Sequence, residues 1–242
     1  TTDPPHPLND IQQQAMDSVG QQFLSKNVVL LHGVTSSGKT EIYIHIIQKA
    51  ICEGKQVLYL LPEIALTVQM MMRLKRVFGH RLGIYHSKYS DAERVEIWRK
   101  QLSSDPYDVI LGARSAVFLP FQRLGLVVID EEHESSYKQQ DPAPRYHARS
   151  VAIVMAQMLG AKTLLGTATP CIETYHNALT GKYGLVTLSQ RFKGVELPRI
   201  ELVDIKDLRH RKMMRGPLSP QLLAAMREAL NAGEQVILFQ NR

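Results

Sequence analysis

Eight residues, Gly33-Val34-Thr35-Ser36-Ser37-Gly38-Lys39-Thr40, restrict the folds open to this chain more than any other stretch. An apolar run at residues 28–32 precedes them and reads as a buried strand. Behind them, residues 40–51 place Ile42, Tyr43, Ile46, Ile47 and Ala50 at helical spacing. Strand, glycine-bounded turn and helix in that order make a phosphate cradle. The glycines let backbone N–H groups turn inward, and the helix start adds the positive end of its dipole. Gly33, Val34, Thr35, Ser36, Ser37 and Gly38 would wrap the phosphates, Lys39 would reach the β- and γ-phosphates, and Thr40 would ligate Mg2+. The plainer alternative is a glycine-containing turn with a chance lysine. Every fixed position is filled and both flanks fit, which weighs against it.

Such a cradle belongs to a sheet wound by helices, and the rest of the chain supplies one. Further strands are expected at residues 57–61, 109–112, 126–130 and 163–167. Their near-continuous Val, Ile and Leu content suits burial on both faces of a parallel sheet. Ser90-Asp91-Ala92-Glu93 reads as a capping box opening a helix that runs to about Gln101. The proline-rich residues 1–7 read as a linker and residues 8–188 as one domain. Residues 189–218 form a looser basic segment, with Pro198, Pro217 and one expected strand at 200–203. A second unit, residues 219–242, then begins: Ser219 as N-cap, Pro220 at the first helical position, a helix to Asn231, Gly233 past its end, and a strand at 236–239. The chain opens on Thr1 rather than Met and stops just behind that last run, so it is expected to be a piece of a longer protein.

A nucleoside triphosphatase needs an acid opposite the cradle, at the end of another apolar strand. Leu126-Val127-Val128-Ile129-Asp130-Glu131 supplies it. Asp130 would hold Mg2+, directly or through water, and Glu131 would orient and deprotonate the attacking water. A charged loop at a strand end is the bland alternative, and the cradle makes it the minor one. The guanine signature Asn-Lys-x-Asp is not present.

The net charge of +6 fits a nucleic-acid partner without requiring one. The two cysteines, Cys52 and Cys171, stand far apart with no ligand neighbours, which argues against zinc and fits a reduced, cytoplasmic setting. No run approaches the roughly 20 apolar residues of a membrane span.

Asp130-Glu131-Glu132-His133 has the Asp-Glu-x-His form of superfamily 2 helicases, and Gly166-Thr167-Ala168-Thr169-Pro170 resembles their Ser/Thr-Ala-Thr motif. Leu8-Asn9-Asp10-Ile11-Gln12 resembles a Q motif with Gln12 placed to read adenine, although Gln12 to Gln14 leave its register open. Closer still, Leu61-Pro62-Glu63-Ile64-Ala65-Leu66-Thr67, Tyr85-His86-Ser87, the stretch from Gly112 to Phe118, Glu134 to Gln140 and Arg145-Tyr146-His147-Ala148-Arg149 resemble the bacterial replication-restart helicases of the primosomal protein N′ family. So does the terminal stretch from Val236 to Arg242. Ser36 and Ala113 depart from the family's usual residues, and the loop at Asp141-Pro142-Ala143-Pro144 has no Trp.

The resemblance implies an α/β fold: a RecA-like P-loop NTPase lobe, three-layer α/β/α, followed by the start of a second lobe. It implies ATP and Mg2+ as cofactors and an ATP-dependent 3′-to-5′ helicase as the parent. It also implies DNA as partner, in the form of forks and single strands next to duplex, with primosome and single-strand-binding proteins beside it. Zinc would lie only beyond Arg242. Pro62, Glu63, Thr67, Arg114 and Ser115 would meet strand phosphates, Arg114 best because guanidinium bonds in a fork. Tyr137 and Tyr146 would stack on bases, with Lys138, Arg145 and Arg149 adding charge; alternatively both rings pack against the lobe. His133 would couple the acid box to Thr167 or Thr169. Trp98 is expected to pack, the methionines 70–72 to fill the core, and Arg73, Lys75, Arg76 and Arg81 to form a solvated face. The alternatives are another superfamily 2 translocase, or a nucleotide-gated module that binds DNA without catalysis.

Overall fold

In the computed structural model, which describes residues 2–34, 37–86, 88–188 and 199–241, the apolar runs lie side by side. The strands are β1 (Val28–Gly33), β2 (Gln56–Leu60), β3 (Leu82–Tyr85), β4 (Val109–Gly112), β5 (Leu124–Asp130), β6 (Lys162–Thr167) and β7 (Gly184–Leu188). They form one sheet in the order β3-β4-β2-β5-β6-β1-β7, with every neighbour parallel. The five expected strands are all present. β3 and β7 were not anticipated: both are short edge strands, and the first is interrupted by Gly83, so neither carries a long Val/Ile/Leu run.

Among the described residues, six helices of this unit cover the sheet: α1 (Asp10–Ser25), α2 (Lys39–Cys52), α3 (Val68–Phe78), α4 (Asp91–Leu102), α5 (Ala148–Met158) and α6 (Ile172–Leu179). Alternate strand residues point to opposite faces. Val29, Leu31, Tyr59 and Val128 meet Ile42, Ile47 and Leu74 of α2 and α3 on one side. Leu30, Leu58, Val127 and Ile129 meet Ile97, Ala152, Ala156 and Ala178 of α4 to α6 on the other. The result is a three-layer α/β/α lobe. In α5 the inward positions are alanines four apart, which lets the helix lie close to the sheet.

Some packing expectations fail. Trp98 is 43% exposed because its neighbour Ile97 takes the inward position on α4. Met70 and Met71 pack against the core, but Met72 faces outward. Arg73 is not simply solvated: it pairs with Glu41 of α2. The capping box of α4 is present, with Ser90 and Glu93 exchanging bonds.

The chain divides into two compact units, Thr1–Val195 and Glu196–Arg242. The second contains α7 (Lys206–His210) and α8 (Pro220–Asn231). The Ser219 hydroxyl accepts from the Leu222 N–H at 3.2 Å, and Gly233 takes φ 75° beyond the end of α8. The strands expected at 200–203 and 236–239 are not formed. A strand is stable only when a neighbour completes its ladder, and no described segment of this unit does so; Leu202 and Ile237 are almost wholly exposed. Residues 189–198, where the basic segment begins, lie outside the described residues.

Candidate nucleotide-binding site

Three strands at the centre of the sheet bring the motifs together. Along β5, β6 and β1 the ladder sets Asp130 beside Gly166 and Thr167 beside His32. The carboxyl ends of these strands therefore carry the acid box, the Thr-Ala-Thr motif and the phosphate loop in one row. That edge is where wound parallel sheets hold ligands.

The phosphate loop leaves β1 at Gly33 and enters α2 through Gly38, whose φ of 79° lies in the left-handed region. A side chain there would be strained, and the turn needs that conformation to aim the helix start inward. Lys39 is buried and its Nζ donates to the Gly33 carbonyl at 2.9 Å, so the ammonium lies within the loop. Thr40 follows on the first turn of α2. Thr35 and Ser36 lie outside the described residues.

Gln12 is the buried member of its glutamine run, while Gln13 and Gln14 are exposed. It closes a capping box with Asn9 at the start of α1. Its side-chain amide donates to the Gly38 carbonyl at 3.2 Å. The Asn9-x-x-Gln12 spacing carried that cap and was read only as a Q motif.

Asp130 is held from two directions. Its Oδ1 accepts from the Tyr43 hydroxyl of α2 at 3.0 Å and from the Glu131 N–H at 3.0 Å. Burial, then the neighbouring Glu131 charge, pushes its pKa up to about 6. Glu131 sits at φ 47°, a conformation rarely adopted by residues other than Gly, Asn and Asp. Such strain turns the side chain out of the strand line and is typical of working sites. His133 Nδ1 lies 2.7 Å from the Thr167 hydroxyl and 3.6 Å from a Glu131 oxygen. Its Nε2 is 3.4 Å from the Thr169 hydroxyl.

The next residue in the box was missed. Glu132 is fully buried, and Arg149 Nη1 lies 2.5 Å from its Oε2. Oε1 accepts from the Cys171 N–H at 2.8 Å, and Oε2 accepts from the Thr174 hydroxyl at 2.8 Å. A buried carboxylate must be paired and hydrogen-bonded to be tolerated. This one fastens the acid box to the start of α6. Sequence held one hint, a third acid in a row on a strand end, but its partner lies 17 residues on.

Several residues expected on DNA are turned inward instead. Tyr137 is 1% exposed, and its hydroxyl donates to the Asp130 carbonyl at 2.6 Å and the Leu60 carbonyl at 3.2 Å, so its ring cannot stack on a base in this structure. Arg149 is committed to Glu132. Arg114 Nη1 donates to the carbonyls of Ser136 and Lys138, each at 3.2 Å, and Lys138 Nζ donates to the Arg145 carbonyl. The Thr67 hydroxyl caps α3 by accepting from the Met70 N–H. Arg145 is exposed. Tyr146 is half-buried and meets the exposed ring of Phe118 edge-on at 4.7 Å, an aromatic surface the sequence reading did not include. Pro62, Glu63, Arg114 and Ser115 line one small hollow at the same edge of the sheet.

The donor set suits Mg2+. One hydroxyl and one carboxylate leave room for the waters and phosphate oxygens that this ion keeps. Among the described residues there is no cluster of three His, Cys, Asp or Glu for a metal held by protein alone. Among them, too, no helix is long and apolar enough to cross a membrane.

Residues 9–178 match the DEAD/DEAH box helicase family. The chain is similar to the replication restart protein PriA of Bacillus subtilis, 42% identical over 240 residues that cover 98% of this chain and 29% of that protein. It is 45% identical to the PriA of Rickettsia conorii over 235 residues, covering 97% of this chain and 35% of that one. The chain thus spans about a third of the length of the curated relatives it matches. Its fold is shared with RecG bound to a three-way DNA junction, with a TM-score of 0.61 at 20% identity over 95% of this chain and 28% of that one.

Proposed function

This chain belongs to the DEAD/DEAH box helicase family, and from that premise we propose that it is the ATP-binding motor lobe of a 3′-to-5′ DNA helicase that restarts stalled replication forks. One observation carries the reading. The phosphate loop, the acid box and the Thr-Ala-Thr motif end three adjacent strands, so one nucleotide can touch all of them. Lys39 and the loop N–H groups bind the phosphates of ATP, and Gln12 steadies the loop from behind while its position suits the adenine side. Thr40 and Asp130 hold Mg2+, which neutralises phosphate charge as it develops. Glu131 takes the proton of the attacking water, and His133 passes the change at that carboxylate to Thr167 and Thr169.

DNA crosses the same edge of the sheet by its phosphates, over Pro62, Glu63, Thr67 and Ser115. Arg145 adds charge, and the Phe118–Tyr146 pair offers rings to an unstacked base. The similarity to the PriA proteins supports replication restart; on this reading primosome and single-strand-binding proteins are its partners and the cytoplasm its setting.

Lys39→Ala in the full-length protein tests this. Unwinding of a fork with a 3′ arm is expected to vanish while fork binding persists, and normal unwinding would overturn the assignment. Loss of fork binding itself, or a preference for RNA duplex, would point to a different translocase. Residues 1–242 alone are expected to turn over ATP weakly, because the arginine finger of such motors comes from a second lobe and supplies much of the rate.

A further inference from the structure

The Mg2+ reading assigns Thr40 and Asp130 but leaves one buried group beside them without a role. Tyr43 is fully buried, one helical turn along α2 from Thr40. Its hydroxyl donates to Asp130 Oδ1 at 3.0 Å. A phenylalanine would fill the same space, and a buried hydroxyl is costly unless it is bonded. The neighbouring elements are shaped around that bond. Gly166, on the strand beside Asp130, has no Cβ; one built there would collide with the Tyr43 hydroxyl. The ring of Tyr59 stands edge-on to Tyr43 at 5.8 Å and 73°, which fixes its plane.

We propose that Tyr43 is a positioning residue for the cation: it ties the helix that carries Thr40 to the carboxylate of Asp130. With the Glu131 N–H also on Oδ1, the carboxylate is locked about its last torsion. Oδ2 is then the oxygen presented to the cation. Without the hydroxyl the carboxylate would have to be ordered by the ion itself, which weakens ion binding and leaves the phosphate contacts alone. The proposal rests on the ATP and Mg2+ reading above.

The test is fluorescence titration of the full 242-residue chain with a mant-labelled ATP, in EDTA and across Mg2+ concentrations. In Tyr43→Phe, half-saturation by Mg2+ is expected to rise roughly tenfold, the effect of one hydrogen bond to a charged group. Affinity for the nucleotide in EDTA is expected to stay unchanged. Tyr59→Phe removes a second buried phenol hydroxyl, one with no hydrogen-bond partner among the described residues, and is expected to leave both quantities unchanged. An unaltered Mg2+ requirement in Tyr43→Phe overturns the proposal. So does equal weakening with and without Mg2+, or failure of the variant to fold, each of which marks a merely structural phenol. A matching shift in Tyr59→Phe overturns it as well. If the unaltered chain binds mant-ATP with no dependence on Mg2+, the nucleotide reading itself falls, and the proposal with it.

Discussion

The phosphate loop and the acid box end strands of one sheet, yet they are held in place by opposite means. The loop is shaped by backbone: a left-handed glycine at its exit, carbonyls accepting from Lys39 and Gln12, and a helix start. The box is shaped by side chains from distant segments: Tyr43 on Asp130, Arg149, Cys171 and Thr174 on Glu132, and Thr167 beside His133. The contrast matches their chemistry. A phosphate cradle offers N–H groups, which any sequence of suitable conformation supplies. A catalytic carboxylate has to be aimed, and aiming takes specific partners. Removing a partner from the box is therefore expected to do far more damage than straining the loop.

The largest effect is expected at Arg149. Arg149→Ala leaves the fully buried Glu132 charge without its cation, which typically destabilises by about 3–5 kcal/mol. Urea unfolding of the chain measures it. A loss under about 1 kcal/mol would mean that the Cys171 N–H and the Thr174 hydroxyl suffice, and the box would then be no more dependent on side chains than the loop.

Asp130 comes next, and here the sign is reversed. Its folded pKa is raised from 3.8 to about 6, so the folded chain keeps a proton that the unfolded chain releases. Stability from this group is full below about pH 4 and is lost as pH rises through about 6. The loss is about 3 kcal/mol across that window at about 1.4 kcal/mol per pKa unit. Asp130→Asn cannot titrate and is expected to flatten this part of the profile, ending more stable than the parent at pH 7. Unfolding curves from pH 4 to 7, in EDTA without nucleotide, should diverge by that amount. Parallel curves would mean that the carboxylate is well solvated and that the box stores no strain.

The same division governs what could be read in advance. The Gly33 to Thr40 spacing, the strand before it, the helix after it and the acid at the end of β5 follow from local pattern, because backbone conformation and burial leave periodic traces. The capping box of α4 and the Ser219 cap of α8 are local too. Long polar side chains leave no such trace. Arg149 and Lys138 stand in a basic stretch that resembles a DNA loop and Arg114 at a position expected to meet a strand phosphate, and only the fold shows them bonded to Glu132 and to carbonyls. Tyr137 looked like a stacking ring for the same reason; its burial depends on β2 and β5 meeting above it. The strands expected at 200–203 and 236–239 had the right composition, but a strand depends on a neighbour as much as on its own residues.

Gly38→Ala probes the loop side of the comparison and should have the smallest effect on stability. At φ 79° an added Cβ meets the following carbonyl, a penalty of about 1–2 kcal/mol that relief of unfolded-chain entropy partly offsets, for a net loss of about 1 kcal/mol. The same unfolding assay reads it. Phosphate binding should suffer more than stability does, because relaxing Gly38 rotates the first N–H groups of α2 away from the cradle and moves the carbonyl that Gln12 holds. Mant-ATP affinity measured beside the unfolding curve separates the two effects. A stability loss as large as that of Arg149→Ala would show that the loop, like the box, is part of what keeps the lobe folded, and the division between backbone and side-chain control would not hold.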